Sequence, residues 1–169
     1  MTATKERVGF GGGCHWCTEA VFQALRGVHH VAQGFLRSTP PHNSWSEAVE
    51  VTFDPDEITL DTLVEIHLST HASTSAHKMR GKYRSAVYAF DKDQFDTLRE
   101  ILRAQQPEFD ALLQTRVLTH AGFRLSEPRF QNYFTTNPDR PFCRTYIDPK
   151  LRMLRERFSE FAPVRSEAR

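Results

Sequence analysis

The order of elements along the chain predicts an α+β fold, and three patterns carry the prediction. Residues 47–53 alternate cleanly, with Val49, Val51 and Phe53 on one side and Glu50 and Thr52 on the other. Residues 58–70 repeat Leu60, Leu63, Ile66 and Leu68 as one apolar stripe at helical spacing. Short alternating runs at 7–10 and 85–90 complete a strand–helix–strand–strand–helix–strand series. That series is the ferredoxin-like split βαβ core, here with extra C-terminal helices and an irregular tail.

Each element has its own local signature. Arg7-Val8-Gly9-Phe10 reads as a strand, and Val21, Phe22 and Leu25 give the helix from Thr18 to Arg26 its apolar face. Residues 28–36 form the second strand, and the loop from Arg37 to Ser44 is marked by Pro40, Pro41 and Asn43. Asp54-Pro55-Asp56 ends the third strand. Phe95, Leu98, Ile101 and Leu102 align on a helix over 91–106, which Pro107 closes. A strand over 116–121 and a short helix over 128–135 come next. Residues 137–149 are proline-rich and read as irregular, with Cys143 among them. A last amphipathic helix spans about 149–161. One catalytic domain covers 1–169, with frayed ends at about 1–5 and 162–169.

Composition narrows the function. Apolar residues make up 39% and charged residues 25% of the 169, enough for one domain with a core of its own. Net charge is +1 with no dense block of one sign, so nothing points to a nucleic-acid partner. No apolar run approaches the ~20 residues that cross a bilayer, and the first seven residues carry no apolar signal core. A cytoplasmic monomer without membrane contact is expected. Three cysteines, an odd number, do not make a disulfide scaffold; in a reducing compartment they point to catalysis or metal binding.

The chemistry gathers at Gly11-Gly12-Gly13-Cys14-His15-Trp16-Cys17. Cys14 stands where a strand ends, a glycine turn opens and a helix begins. Free backbone N–H groups and the positive end of the helix dipole favour a thiolate there. The glycines let a substrate approach the sulfur closely. Cys17, one turn along, is placed to close a disulfide with Cys14. Two other readings of the pair stand beside a redox nucleophile. One is inert core thiols. The other is zinc held with His67 and His71, four apart on one helix face, with His77 close behind.

The remaining residues are ambiguous on spacing alone. Glu47 opens a strand and reads most simply as a solvated carboxylate, while Glu50 reads as plain exposed. Tyr83 and Trp16 suit a core plug as well as a pocket wall. His67 interrupts an apolar helix, so it needs a buried partner. His15, His29, His30, His42 and His120 read mostly as surface residues. Cys143 lies on a stretch able to drape across the domain, as a resolving thiol would.

Together these motifs resemble the type A peptide methionine-sulfoxide reductases, from about residue 7 to residue 155. Gly12-Gly13-Cys14-His15-Trp16-Cys17 is similar to that family's glycine-glycine-cysteine-phenylalanine-tryptophan-glycine signature. Residues 46–55 look like its histidine-alanine-glutamate strand ending in aspartate-proline. Lys82-Tyr83-Arg84-Ser85-Ala86 looks like its tyrosine-arginine-serine segment, and Asn137-Pro138 with Cys143 like its C-terminal recycling motif. The resemblance implies a ferredoxin-like core and thiol-dependent reduction of methionine S-sulfoxide, free or in peptides and proteins. It makes Cys14 the nucleophile, Glu47 the proton donor and Tyr83 a hydrogen-bond donor to the sulfoxide oxygen. It makes Trp16 a wall of the methyl pocket. A sulfenic acid on Cys14 then condenses with a second cysteine, and thioredoxin or a similar reductant restores the thiols. No cofactor and no metal are implied.

The chain departs from that pattern in four places. His15 replaces phenylalanine and gives the methyl pocket a polar wall. Cys17 replaces glycine and offers a resolving thiol nearer than Cys143. The loop from Leu36 to Trp45 lacks a tyrosine-bearing insertion. The family's histidine-aspartate-proline and asparagine-aspartate segments become His71-Ala72-Ser73 and Lys78-Met79, removing an acid that orients substrate; His71 and His77 are the candidates to compensate. Two rival functions arise from the same residues: a general thiol–disulfide oxidoreductase using Cys14 and Cys17, and a zinc-binding module using Cys14, Cys17, His67 and His71.

Overall fold

The structure, a computed structural model, describes residues 4–76 and 80–162. His77, Lys78, Met79 and most of the ends expected to fray lie outside the described residues. The fold is mixed α+β. A six-stranded sheet has the order β5-β4-β1-β3-β2-β6. Its strands are β1 (Glu6–Gly11), β2 (Val28–Arg37), β3 (Ser46–Phe53), β4 (Ala86–Ala89), β5 (Arg116–Thr119) and β6 (Gly122–Leu125). The pairings are antiparallel except β4 with β5, which run parallel.

The helices are α1 (His15–Gln23), α2 (Leu60–Thr70), α3 (Lys92–Gln105), α4 (Tyr133–Thr136) and α5 (Asp148–Arg157). Thr59 caps α2 by accepting the Thr62 N–H at 3.2 Å, and Asp91 caps α3 by accepting the Gln94 N–H at 2.8 Å. The main core joins the sheet to the helices: Phe10 of β1 stacks on Phe22 of α1 with centroids 4.5 Å apart. A smaller apolar group, including Leu36, Ala48 and Tyr88, forms a second cluster.

Strand register gathers distant residues at one end of β1. Gly11, the last residue of β1, lies opposite Ala48 of β3 on one side and Ala86 of β4 on the other. The residues just before those two partners, Glu47 and Tyr83-Arg84-Ser85, are therefore brought to the end of β1. That is where the chain turns through Gly12 and Gly13 to Cys14.

Two expectations about the chain are corrected. The strand expected at 116–121 is present as β5, ending at Thr119, and an edge strand that was not expected, β6, follows it, because Gly122–Leu125 pairs with Gly34–Arg37 of β2. The tail at 137–149 is irregular only as far as residue 140 and is helical beyond it. Cys143–Ile147 forms a π-turn that runs directly into α5, with Pro149 in the first turn of α5, where its missing N–H breaks no bond.

Candidate active site

Gly12 (φ 154°) and Gly13 (φ 123°) adopt backbone angles that side chains rarely allow. Gly12 also presses on His71, since a Cβ added there would lie 2.5 Å from the ring's Cδ2. The turn over that ring delivers Cys14 to the N-cap of α1, where its side chain makes no capping bond.

Glu47 takes over the capping role. Its Oε1 accepts the backbone N–H of His15 at 3.1 Å, and Lys82 Nζ lies 3.8 Å from its Oε2. The carboxylate is 9% exposed, which overturns its reading as a solvated strand end. His15 is also buried, contrary to its grouping with surface histidines. Its Nδ1 donates to the Gly34 carbonyl at 2.6 Å, and its Nε2 stands 3.6 Å from Glu47 Oε1. Tyr83 is held close by the Glu47 N–H, which donates to the Lys82 carbonyl at 2.9 Å. Glu50 is half-buried rather than plainly exposed, because it accepts a 2.6 Å hydrogen bond from His120 Nε2.

Cys14 and Cys17 are both free thiols and are joined by a side-chain hydrogen bond. The hydrogen bond between the side chains, then burial, pushes Cys14 up, against a backbone hydrogen bond at Trp16 that lowers it. The same hydrogen bond pulls Cys17 down, helped by the Lys150 charge and opposed by burial. The expectation of a resting thiolate on Cys14 is thereby corrected. Within the pair the shared hydrogen bond, and then burial, hold the proton on Cys14, which leaves Cys17 the more acidic of the two thiols; the Glu47 carboxylate adds a smaller push in the same direction.

A cavity of about 390 Å³ opens on the pair, lined among others by Cys14, Cys17, His71, Tyr83 and Lys150. Glu47, His15 and Trp16 do not line it. Trp16 instead stacks face to face on Tyr133 with centroids 4.1 Å apart and meets Phe142 edge-on at 5.3 Å. Its buried Nε1 has no hydrogen-bond partner among the described residues. Glu19, 1% exposed, fixes this aromatic group. Its carboxylate accepts from the N–H of Asn132 at 2.9 Å, the N–H of Tyr133 at 3.1 Å and Gln33 Nε2 at 2.8 Å.

Cys143 belongs to the same apolar cluster as Cys17 and is 0% exposed. Its S–H donates to the Asn137 carbonyl at 3.6 Å, and burial pushes the thiol up. The draping tail expected for it is therefore corrected: the π-turn folds this thiol under α1.

His67 and His71 are partnered core histidines stacked 4.2 Å apart. His67 Nε2 donates to the Gly11 carbonyl at 2.8 Å; His71 Nδ1 donates to the His67 carbonyl and its Nε2 accepts from Ser85 Oγ at 2.8 Å. Burial lowers both, His71 to about 4. With these nitrogens occupied, the four-ligand zinc set is not assembled. Among the described residues, the His, Cys and acidic side chains whose ligand atoms converge are His29, Asp54 and Glu57, at the surface.

Sequence reasoning missed Glu19, Tyr133, Arg80 and Lys150. Only Glu19 left a signal, a carboxylate beside the apolar Ala20, Val21 and Phe22 of α1.

Comparison with known proteins agrees with this geometry. A family model described as Peptide methionine sulfoxide reductase matches residues 6–162. The chain is 34% identical over 174 residues to a protein of Deinococcus radiodurans named Peptide methionine sulfoxide reductase MsrA, covering 94% of this chain and 84% of that one. Its fold is similar to methionine sulfoxide reductase A of Corynebacterium diphtheriae, with TM-score 0.68 and 25% identity over 79% of this chain and 76% of that one. It is also similar to Mxr1 of Saccharomyces cerevisiae in complex with Trx2, with TM-score 0.62 and 19% identity over 79% and 89%. The chain belongs to the peptide methionine sulfoxide reductase family.

Proposed function

We propose that this chain reduces methionine S-sulfoxide, free or in peptides, through the thiol of Cys14. The observation that carries the reading is the convergence of Cys14, Cys17, Glu47 and Tyr83 at the end of β1. Once the pair has lost one proton, Cys14 hands its own to Cys17 along the hydrogen bond they share, and the resulting Cys14 thiolate attacks the sulfoxide sulfur. Glu47 relays a proton to the sulfoxide oxygen while the Tyr83 hydroxyl donates to it. The S–O bond breaks as that oxygen takes a second proton and leaves as water, while a Cys14–substrate S–S bond remains. Water then attacks the Cys14 sulfur, the S–S bond breaks with its electron pair going to methionine, a proton is released, and Cys14 becomes a sulfenic acid. The Cys17 sulfur then displaces the hydroxyl group, its proton leaves with that group as water, and a Cys14–Cys17 disulfide remains. Cys143, buried beside α1, is the second resolving thiol by exchange with Cys17. A thioredoxin-like dithiol supplies the two electrons that reset the enzyme; the Mxr1–Trx2 pair supports that choice. Trp16, on its aromatic stack, and His15 do not line the cavity itself, and we assign them to the support of its substrate-binding wall from behind the nucleophile.

The remaining readings belong to the same proposal. The strands β4-β1-β3-β2 with α1 and α2 form a ferredoxin-like core, and one catalytic domain acts as a monomer. A reducing cytoplasm suits three free cysteines. No helix among the described residues is long and apolar enough to cross a membrane.

The test is mass spectrometry of reduced protein mixed with each epimer of a methionine-sulfoxide peptide. The S epimer is expected to turn over and leave a Cys14–Cys17 disulfide, and Cys14→Ser to abolish the reaction. Turnover by Cys14→Ser would remove the assigned nucleophile. A disulfide found only between Cys14 and Cys143 would remove Cys17 as the resolver.

A further inference from the structure

The cavity in front of the cysteines is lined by two cations that no carboxylate among the described residues pairs with. Lys150, at the start of α5, and Arg80, in the loop before β4, both line it. Among the described residues no carboxylate lines the cavity, and none lies within ion-pair distance of either cation. Each cation is instead held by backbone carbonyls. Lys150 Nζ donates to Thr70, and Arg80 donates to Tyr83 at 2.9 Å, Ala72 at 2.6 Å and Ser75 at 3.0 Å. Carbonyls orient these groups without cancelling their charge. The other ionisable groups facing the space do little to offset it. Burial holds His67 and His71 toward their neutral forms, and the hydrogen bond within the cysteine pair opposes charge on both sulfurs at once.

Half-buried cations aimed into a cavity keep a strong local field, because little water is there to screen them. An anionic group entering gains charge-assisted hydrogen bonds that a neutral one does not. The anion must arrive joined to the sulfoxide, since the same cavity opens on Cys14.

Resting on the sulfoxide-reductase reading, we infer that this site is selective for sulfoxides carrying a carboxylate close to the reacting sulfur, with Lys150 and Arg80 binding that carboxylate. The carboxylate has two sources: the α-carboxylate of a free or C-terminal methionine sulfoxide, or an acidic side chain on the next residue of a peptide. The cation pair is specific to the substrate's second anchor and leaves the cysteine chemistry as described.

The experiment compares three S-sulfoxide substrates by kcat/KM: N-acetylmethionine sulfoxide, its uncharged N-methylamide, and N-acetylmethionine sulfoxide joined to aspartic acid amide. The first is expected to exceed the N-methylamide about tenfold, a preference carried in KM. A matching gain for the aspartate peptide assigns the side-chain source as well, and its absence restricts the anchor to the α-carboxylate. In Lys150→Met the charged-to-neutral ratio is expected to fall toward one, and Lys150→Arg to restore it. Arg80 is left intact, because it ties three carbonyls of its loop. Equal kcat/KM on charged and neutral substrates in the wild type overturns the inference. A loss in Lys150→Met that is equal on both substrates also overturns it, assigning Lys150 to the support of Cys17 instead. Failure to turn over any of the three substrates would count against the sulfoxide-reductase reading itself.

Discussion

Lowering the pH from 7.5 to 5 should cost this protein stability through the ring on which its glycine turn rests. Burial, reinforced by the Arg80 and Lys150 charges, lowers His71 from the usual 6.5 to about 4, against a hydrogen bond to the His67 backbone. The unfolded chain therefore takes up this proton near pH 6.5 and the folded chain only near pH 4. Between those values the unfolded state binds more protons, so stability falls as pH falls. The contribution is complete above pH 6.5, and its loss levels off below pH 4. At pH 5 His71 alone costs about 2 kcal/mol, rising to about 3 kcal/mol at the acid limit. His67 acts in the same direction, since burial and the His71 charge lower it too. The assay is urea unfolding at pH 7.5, 6 and 5. With a slope of about 2 kcal/mol per molar urea, the His71 share moves the midpoint by about 1 M. His71→Asn should lose that share of the pH dependence and keep the part owed to His67. Equal pH dependence in the two proteins would refute the reasoning. If the variant fails to fold, an NMR titration of the wild-type ring decides: a His71 titrating near 6.5 is the refuting result.

The other expectations concern the supports of the site. Gly12→Ala places a methyl 2.5 Å from the His71 ring at a φ that alanine avoids, so stability should drop by about 1–3 kcal/mol in thermal or urea unfolding. An unchanged midpoint would mean that the turn does not rest on His71. Glu19→Ala leaves three donors without their acceptor, at roughly 3 kcal/mol, and should release Tyr133 from Trp16. Near-UV circular dichroism reads that stack, and an unaltered aromatic signal would contradict the clamp.

Legibility from sequence depended on how local each signal was. The alternation at 49–53 and the stripe at 60–68 repeat within a few residues, and both elements are legible from it. The Gly12-Gly13-Cys14 turn was readable because glycine at a strand end has few other uses. The edge strand β6 was not, since Gly122-Phe123-Arg124-Leu125 is four residues long and shows its pattern only beside β2. The helical tail was missed because Pro141 and Pro149 read as breakers, although Pro149 stands in the first turn of α5, where it is tolerated. The proton order between the two thiols escaped for a different reason. A dipole argument at Cys14 is local to the helix start, whereas the hydrogen bond with Cys17 and the burial that outweigh it depend on side-chain geometry in the folded site. Arg80 and Lys150 meet only in the folded cavity, and neither carries a mark of that in its own neighbourhood.

The π-turn at Cys143–Ile147 adds one residue to a helical path. Chain length there, more than residue identity, decides where the Cys143 sulfur points. Deleting a residue between Arg144 and Ile147 would turn the preceding segment by about 100° relative to α5. The sulfur would then swing from beneath α1 toward water, and a thiol shielded from oxidants would become an exposed one. This stretch is therefore closed to length changes even where its side chains can be exchanged.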